Sequence, residues 1–284
     1  MANIADAVRR KVANWSVVAV RKDGSQASKP DVLVTEEPLE IRVESPQQSA
    51  QPVAVTMRTP GHDFELAVGF LFTEGMVGRP ADVKSVRYCQ LPDSTEQQFN
   101  IVTVSLTKPF DEALSRRGMV TSASCGICGT SSIEQLAQNV SRIDSGIGPV
   151  VTAEILTSLP EIIRRAQPTF DRTGGLHAAG LVDSTGDAYC VREDIGRHNA
   201  VDKVIGKAVL DSRVPIDGHA LVVSGRLSFE IIQKAAMAGI SFVAAVGAPS
   251  NLAVETAEEL GITVVGFVRD GAANIYTHKH RIRG

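Results

Sequence analysis

The chain is poor in cysteine, with four residues among 284, at positions 89, 125, 128 and 190. Four cysteines in a chain of this length build no disulfide framework, and a reducing compartment keeps them as thiols. Long apolar runs are missing too, so no segment is expected to cross a bilayer as a helix. Neither sign of charge dominates. Lys and Arg number 29 against 32 Asp and Glu, a net charge of -3, which excludes nucleic-acid binding driven by bulk charge. The opening MANIADAVRRKVANWS lacks the continuous apolar core and small-residue cleavage site of a secretion signal, so a cytoplasmic location is expected. Internal repeats and low-complexity segments are also absent. What is present is an ordinary globular composition, in a length that favours one large or two modest domains, each with its own core.

The first half reads as strands with one clear helix. WSVVAVR, DVLVTEEPLEIRV and QPVAVTMRT are rich in β-branched residues and are separated by the turn-forming KDGSQASKP and ESPQQ. HDFELAVGFLFTEGM places Phe64, Ala67, Val68, Leu71 and Phe72 at helical spacing, with Gly75 as its stop. VKSVRYCQL and FNIVTVSL return to strand patterning. After Phe110 comes a short helical piece and then a small, polar loop around SASCGICG, followed by a helix over SSIEQLAQNV. SRIDSGIGP reads as a linker.

The second half is more regular. TAEILTSLPEIIRRAQ is helical, with Pro160 marking a kink or break. GLHAAGLVD and DAYCVRE form a strand pair across STG. The helices RHNAVDKVIGKAVL, LSFEIIQKAAMAGI and NLAVETAEELG then alternate with the strands HALVVSG, SFVAAVG and a final ITVVGFV. The alternation predicts a mostly parallel sheet covered on both faces, made mixed by the opening pair. The expected architecture is α/β, with an N-terminal α+β domain over residues 1–145 and a mixed-sheet, three-layer domain over 146–284. The C-terminal HKHRIRG reads as a solvated basic tail or as a contact for an anionic partner.

Cys125 and Cys128 carry the chemistry worth weighing. Structural zinc needs four ligands, and neither a second cysteine pair nor a histidine pair of suitable spacing is present, although His177 or His198 could complete a site from elsewhere in the fold. Dithiol redox chemistry favours a pair at the start of a helix that follows a strand. The helix is expected here, but the preceding TSAS is not a strand. Sulfur carriage suits the pair as well: Gly126 and Gly129 allow the loop to swing, and a thiolate is the nucleophile that accepts sulfur. From the residues alone, redox and carriage stand level. Cys89 and Cys190, inside strand-like runs, read as packed thiols.

Several segments, in order along nearly the whole chain, resemble one family. TEEPLEIRV (35–43), MRTPGHDFELAVGFLFTEGMV (57–77), SASCGICG (122–129), EDIGRHNAVDKVIG (193–206), SGRLSFEIIQKAAMAGI (224–240) and GFVRDGAANIYT (266–277) are similar to the formate dehydrogenase accessory sulfurtransferases, the FdhD family. The resemblance implies a sulfur carrier that takes persulfide sulfur from a cysteine desulfurase. The sulfur passes to the molybdenum of the bis(molybdopterin guanine dinucleotide) cofactor, which formate dehydrogenase needs in sulfurated form. It implies a persulfide on Cys125 with Cys128 as supporting thiol, a homodimer, and a second domain similar in fold to cytidine deaminases. The deaminase zinc signature, H-x-E at one helix start and P-C-x-x-C at the next, is missing from EDIGRHNAV and SGRLSFE, so no tightly bound zinc is expected. Two other functions remain open: a chaperone that binds the finished cofactor without carrying sulfur, and a dithiol oxidoreductase.

The resemblance makes Phe267, Val268, Arg269, Asp270, Gly271 and Ala272 the cofactor-binding stretch. By its residues, Arg269 suits a pyrophosphate, Asp270 a guanine edge, and Gly271 a close backbone approach. Arg226, at a helix start after a strand, is the favoured phosphate ligand, ahead of Arg197. His177 reads first as a core histidine. Its small neighbours Gly174, Gly175, Ala178 and Ala179 would leave room for a pterin-like ligand. EDIGRHNAVDK reads as a solvated ion-pair network, and His62 and Asp63 as a helix cap and its neighbour.

Overall fold

The computed structural model describes residues 11–89, 99–110, 142–144 and 146–284. Strands β1 (Val12–Val20) and β2 (Gln26–Val34) form a separate antiparallel ribbon. Its strand pairing reaches into KDGSQASKP, read from sequence as a turn, and sets Pro30 opposite Ser16. A two-stranded ribbon has only edge strands, where proline's missing N–H costs no ladder bond. Strands β3 (Glu37–Ser45), β4 (Gln48–Arg58), β5 (Val83–Tyr88) and β6 (Ile101–Leu106) make a four-stranded sheet in the order β4-β3-β6-β5. In β3, Leu39, Ile41 and Val43 alternate with more exposed residues and turn one face to the core. Helix α1 (Asp63–Thr73) covers that face and ends before Gly75, whose φ of +75° glycine adopts without strain.

The second half begins with β7 (Val151–Thr152), α2 (Ala153–Arg164) and the short α3 (Pro168–Thr173). Helix α2 runs on through Pro160, because Leu156, Leu159 and Ile163 are buried against the sheet on either side of it. That packing outweighs one lost backbone hydrogen bond. There follow β8 (His177–Asp183), β9 (Ala188–Asp194), α4 (Arg197–Leu210), β10 (His219–Val223), α5 (Phe229–Met237), β11 (Phe242–Ala245), α6 (Asn251–Leu260) and β12 (Thr263–Arg269). ITVVGFV is not the final strand: β13 (Ala272–Ile275) and β14 (Ile282–Arg283) come after it. The main sheet has the order β13-β12-β11-β10-β8-β9, parallel only across β10, β11 and β12. It is therefore mixed throughout and not mostly parallel, since β8, β9 and β13 each pair antiparallel.

Alternate residues of this sheet face opposite helices. Val182, Ala220, Val222, Phe242, Ala244 and Val265 pack with α2. Ala179, Leu181, Leu221, Val223, Val243 and Ala245 pack with α4, α5 and α6, which gives three layers. Helix α1 then crosses α4 and joins the two sheets through one continuous core. The crossing is close because both helices place glycine there. A Cβ on Gly206 would lie 1.8 Å from the Glu65 carbonyl oxygen, and one on Gly69 would lie 1.8 Å from that of Asp202.

Two buried cations fasten this frame. Lys203 on α4 pairs with Asp194 at 2.7 Å and donates to the Thr59 carbonyl at 3.0 Å. Arg281, inside the stretch read as a solvated tail, is 1% exposed. It donates to the carbonyls of Asp144, Ile147 and Gly261 and to the Thr263 hydroxyl. Those bonds fix the start of the second half, and β14 pairs with β7 beside them. No helix among the described residues is long and apolar enough to cross a membrane.

Candidate ligand-binding edge

Strands β10, β11 and β12 end at one edge of the main sheet, where open α/β sheets offer their binding loops. Strand β8 begins at the same edge, since Ala179 sits opposite Val223. β9 ends there, with His177 opposite Asp194. Helices α4, α5 and α6 therefore all start at this edge. Gly196 and Ser228, at the N-caps of α4 and α5, make no side-chain capping bond, whereas Ser250 caps α6 by accepting from the Ala253 N–H. The first-turn N–H groups of α4 and α5 thus lack that partner, and the positive ends of their dipoles face the edge.

The floor of the edge is backbone. The Gly247 N–H donates to the Gly225 carbonyl at 3.1 Å, and the Phe267 N–H donates to the Gly247 carbonyl at 3.1 Å. A Cβ on Gly247 would come within 2.8 Å of that Gly225 oxygen, so only glycine fits between these loops. The Ser224 hydroxyl accepts from the Ala178 N–H at 2.9 Å and locks the start of β8 to the same loop. From β8 to β12 there are three strand spacings, roughly 14 Å of continuous edge.

Over this floor stand His177, Arg197 and Arg226. Gly225 lies directly beside His177: a Cβ there would be 3.2 Å from Nδ1 and 3.9 Å from Arg197 Cδ. Burial holds His177 below its usual range, and the nearby guanidinium charges of Arg197 and Arg226 hold it lower still, against the opposing pull of Asp194. It is neutral at neutral pH. Arg197 is half-buried, and its Nε is buried without a hydrogen-bond partner among the described residues. Arg226 is exposed. An unsatisfied guanidinium N–H costs stability unless a ligand pairs with it, and two arginines beside two uncapped helix starts suit an anion.

The 267–272 stretch lies at the far end of this edge, as the turn joining β12 to β13. Phe267, Asp270 and Gly271 have φ of 53°, 54° and 73°, and the pairing is bulged between Gly266 and Arg269. Such left-handed geometry is uncommon for Phe and Asp and is frequent at functional sites. The Arg269 guanidinium lies 5.6 Å from the centre of the Phe267 ring. Phe267, Arg269, Asp270 and Ala272 line a shallow depression with Ala273 and Asn274. Val268 is apart from them, 1% exposed in the core beneath α2, so only its backbone belongs to the loop.

Cys125 and Cys128 lie outside the described residues. Cys190 is buried in β9, where loss of water pushes its thiol up to about 12 and makes it inert. Cys89 is half-buried, 3.0 Å from the Thr103 hydroxyl. No cluster of three or more possible metal ligands occurs among the described residues. His62 occupies the N-cap of α1 without capping it by its side chain. Asp63 is fully buried, bound by Arg58 at 2.8 Å and by the Tyr88 hydroxyl at 3.1 Å.

EDIGRHNAVDK proves only partly solvated. Asp194 and Lys203 form the buried pair above, Asp202 is buried against Lys234, and Glu193 caps α3 by accepting from the Thr169 and Phe170 N–H groups. Arg197 and His198 of that run turn to the edge. In the sequence Arg197 ranks behind Arg226, and nothing there places His198 or Glu230 at this edge. The available signal was that GRH and SGR both open a helix directly after a strand.

Four likenesses bear on this arrangement. The model of the FdhD/NarQ family matches residues 34–283. A sulfur carrier protein FdhD of Mycolicibacterium paratuberculosis is 49% identical over 263 residues, covering 91% of this chain and 94% of its own. One of Streptomyces avermitilis is 45% identical over 271 residues, covering 94% of each. A crystal structure described as a formate dehydrogenase accessory protein, from Desulfotalea psychrophila, superposes with a TM-score of 0.75. It shares 21% identity and covers 96% of this chain and all of its own, a likeness of fold alone.

Proposed function

The chain belongs to the FdhD/NarQ family, and we propose on that footing that it is a cytoplasmic sulfur carrier for the molybdenum cofactor of formate dehydrogenase. Cys125 receives sulfur first. Its thiolate attacks the outer sulfur of a cysteine desulfurase persulfide, the donor's S–S bond breaks, the donor cysteine leaves as thiolate, and Cys125 becomes the persulfide. Delivery follows at the molybdenum of bis(molybdopterin guanine dinucleotide), bound as substrate. Attack of the Cys128 thiolate on the inner sulfur releases the outer one as sulfide, which the metal takes up. The Cys125–Cys128 disulfide left behind is reduced by a cellular thiol.

The observation that carries the cofactor half of this reading is the buried Nε of Arg197, without a partner among the described residues, beside His177 on a glycine floor. In this reading Arg197, Arg226 and Arg269 hold the pyrophosphate, and Asp270 and the backbone of Phe267, Val268, Gly271 and Ala272 receive the guanine. His177, uncharged and flanked by small residues, faces the pterin. The protein acts as a homodimer. The β1–β2 ribbon, which leaves Trp15 and Val18 more than half exposed, supports a partner at that end.

Replacing Cys125 by Ala tests the carrier role against a cofactor chaperone. In cells whose formate dehydrogenase depends on this chain, C125A is expected to reduce activity at least ~100-fold, the loss typical of removing an essential nucleophile. A variant that still yields active enzyme at the wild-type level identifies a chaperone instead.

A further inference from the structure

Helices α4 and α5 run side by side from the edge and are joined by two rungs one turn apart. The deeper rung is Asp202 with Lys234, 2.9 Å apart and both buried, with the Thr73 hydroxyl 2.9 Å from each. The outer rung is His198 with Glu230, Nε2 to Oε2 2.8 Å, each side chain about a third exposed. Ser228 Oγ lies 3.2 Å from the same Nε2. The two rungs have different settings and therefore different effects. The deeper rung is part of the core. The outer one is a partly exposed pair, of the kind that adds little to folding.

The outer rung sits where two helix starts lack their usual closure. Gly196 has no side chain with which to cap α4, and the Ser228 hydroxyl faces His198 and makes no capping bond for α5. His198 immediately follows Arg197, and Glu230 stands four residues beyond Arg226. The groups around His198 are Glu230 and Ser228 from α5, Arg197 from its own turn, and His177 from β8. Hydrogen bonding from His198 holds the Glu230 carboxyl below its usual range, so Glu230 is an anion and only accepts. Nε2 of His198 therefore carries the hydrogen of that bond.

The other fastenings of the two turns lead in opposite directions. Asn199 donates to the Met57 carbonyl at 2.8 Å and ties the start of α4 to the four-stranded sheet. The loop holding Arg226 is tied to the loop between β11 and α6 by Leu227 N–H to the Ala248 carbonyl and Ser250 N–H to the Leu227 carbonyl. The His198–Glu230 bond bridges these two anchorages at the level of the arginines.

We propose that His198, through Glu230, is a positioning residue for this edge, fixing the separation of Arg197 and Arg226 across Gly225 so that both engage one anionic group. The inference rests on the reading above that the edge binds the nucleotide end of the cofactor. It adds that affinity there depends on a residue that does not touch the ligand.

The test uses the full chain and guanosine diphosphate as probe, titrated calorimetrically against wild type, H198A and H198Q, with a thermal melt of each. Gln places an amide N–H near the position of Nε2 and keeps the bond to Glu230. H198A is expected to bind about tenfold more weakly, the effect of losing one hydrogen bond to a charged group. H198Q is expected to return to within about threefold of wild type, with melting points within ~2 °C throughout. Equal binding by H198A and wild type overturns the inference and leaves the nucleotide reading intact. So does a loss that H198Q fails to restore and that tracks a fall in melting point, since that is a purely structural role. A wild type that does not bind the nucleotide overturns the reading of the edge itself, and the positioning role with it.

Discussion

At the scale of single residues, this protein places charge where water is scarce and satisfies it in pairs. Glu65 shows the balance. Burial alone would raise its carboxyl, but hydrogen bonds from Arg192 and His62 outweigh that and bring it to about 2, against 4.5 for the free side chain. The bond to Arg192 joins α1 to β9, one half of the molecule to the other. Because the folded state holds the proton less tightly than the unfolded chain, this contribution is complete above about pH 4.5 and is lost as pH falls toward 2. Its size is on the order of 3 kcal/mol. Urea unfolding measured across that range is expected to show wild-type stability falling steeply and E65Q falling less, from a lower starting point. Parallel acid limbs for the two proteins would remove Glu65 from the account. The sequence showed the charged residues of EDIGRHNAVDK but not which were buried. That depends on Thr59, Thr73 and Lys234, which lie far along the chain and meet these residues only in the fold.

At the scale of elements, periodicity was a good guide to helices and a poor one to their neighbours. The apolar spacing of Phe64 to Phe72 and of Ala200 to Ala208 was legible as helical, but not that both helices are buried on nearly every side. Their mutual crossing was not, since a glycine inside a helix reads from sequence only as a weakness. Gly69 and Gly206 are explained by the backbone they touch. Replacing Gly206 by Ala would drive a methyl group into the Glu65 carbonyl, which cannot swing aside as a side chain can. G206A is expected to destabilise by about 3 kcal/mol or more, read as a shift in the denaturant midpoint. An unshifted midpoint would mean that the halves do not meet at this crossing. Strand β13 escaped the sequence reading because its four residues, Ala272–Ile275, are mostly exposed and carry no alternation.

At the scale of the whole molecule, the fold gathers at one sheet edge what the sequence scatters over nearly a hundred residues. His177, Arg197, Arg226 and Phe267–Ala272 come from four separate segments at the ends of strands and helices. The expected order of helices and strands was enough to predict that loops would cluster there, but not that Arg197 would hold its Nε beside His177 without a partner among the described residues. The cysteine pair was legible in a different way, as chemistry without a position. Family membership, not geometry, favours sulfur carriage over redox cycling.

The most direct measurement is therefore peptide mass spectrometry of the intact chain after incubation with a cysteine desulfurase and cysteine, under non-reducing conditions. One added sulfur on the peptide containing Cys125, removed by a reductant, is the result expected of a persulfide carrier. A Cys125–Cys128 disulfide with no added sulfur would contradict the central claim and make the pair a redox couple or leave the protein a cofactor chaperone.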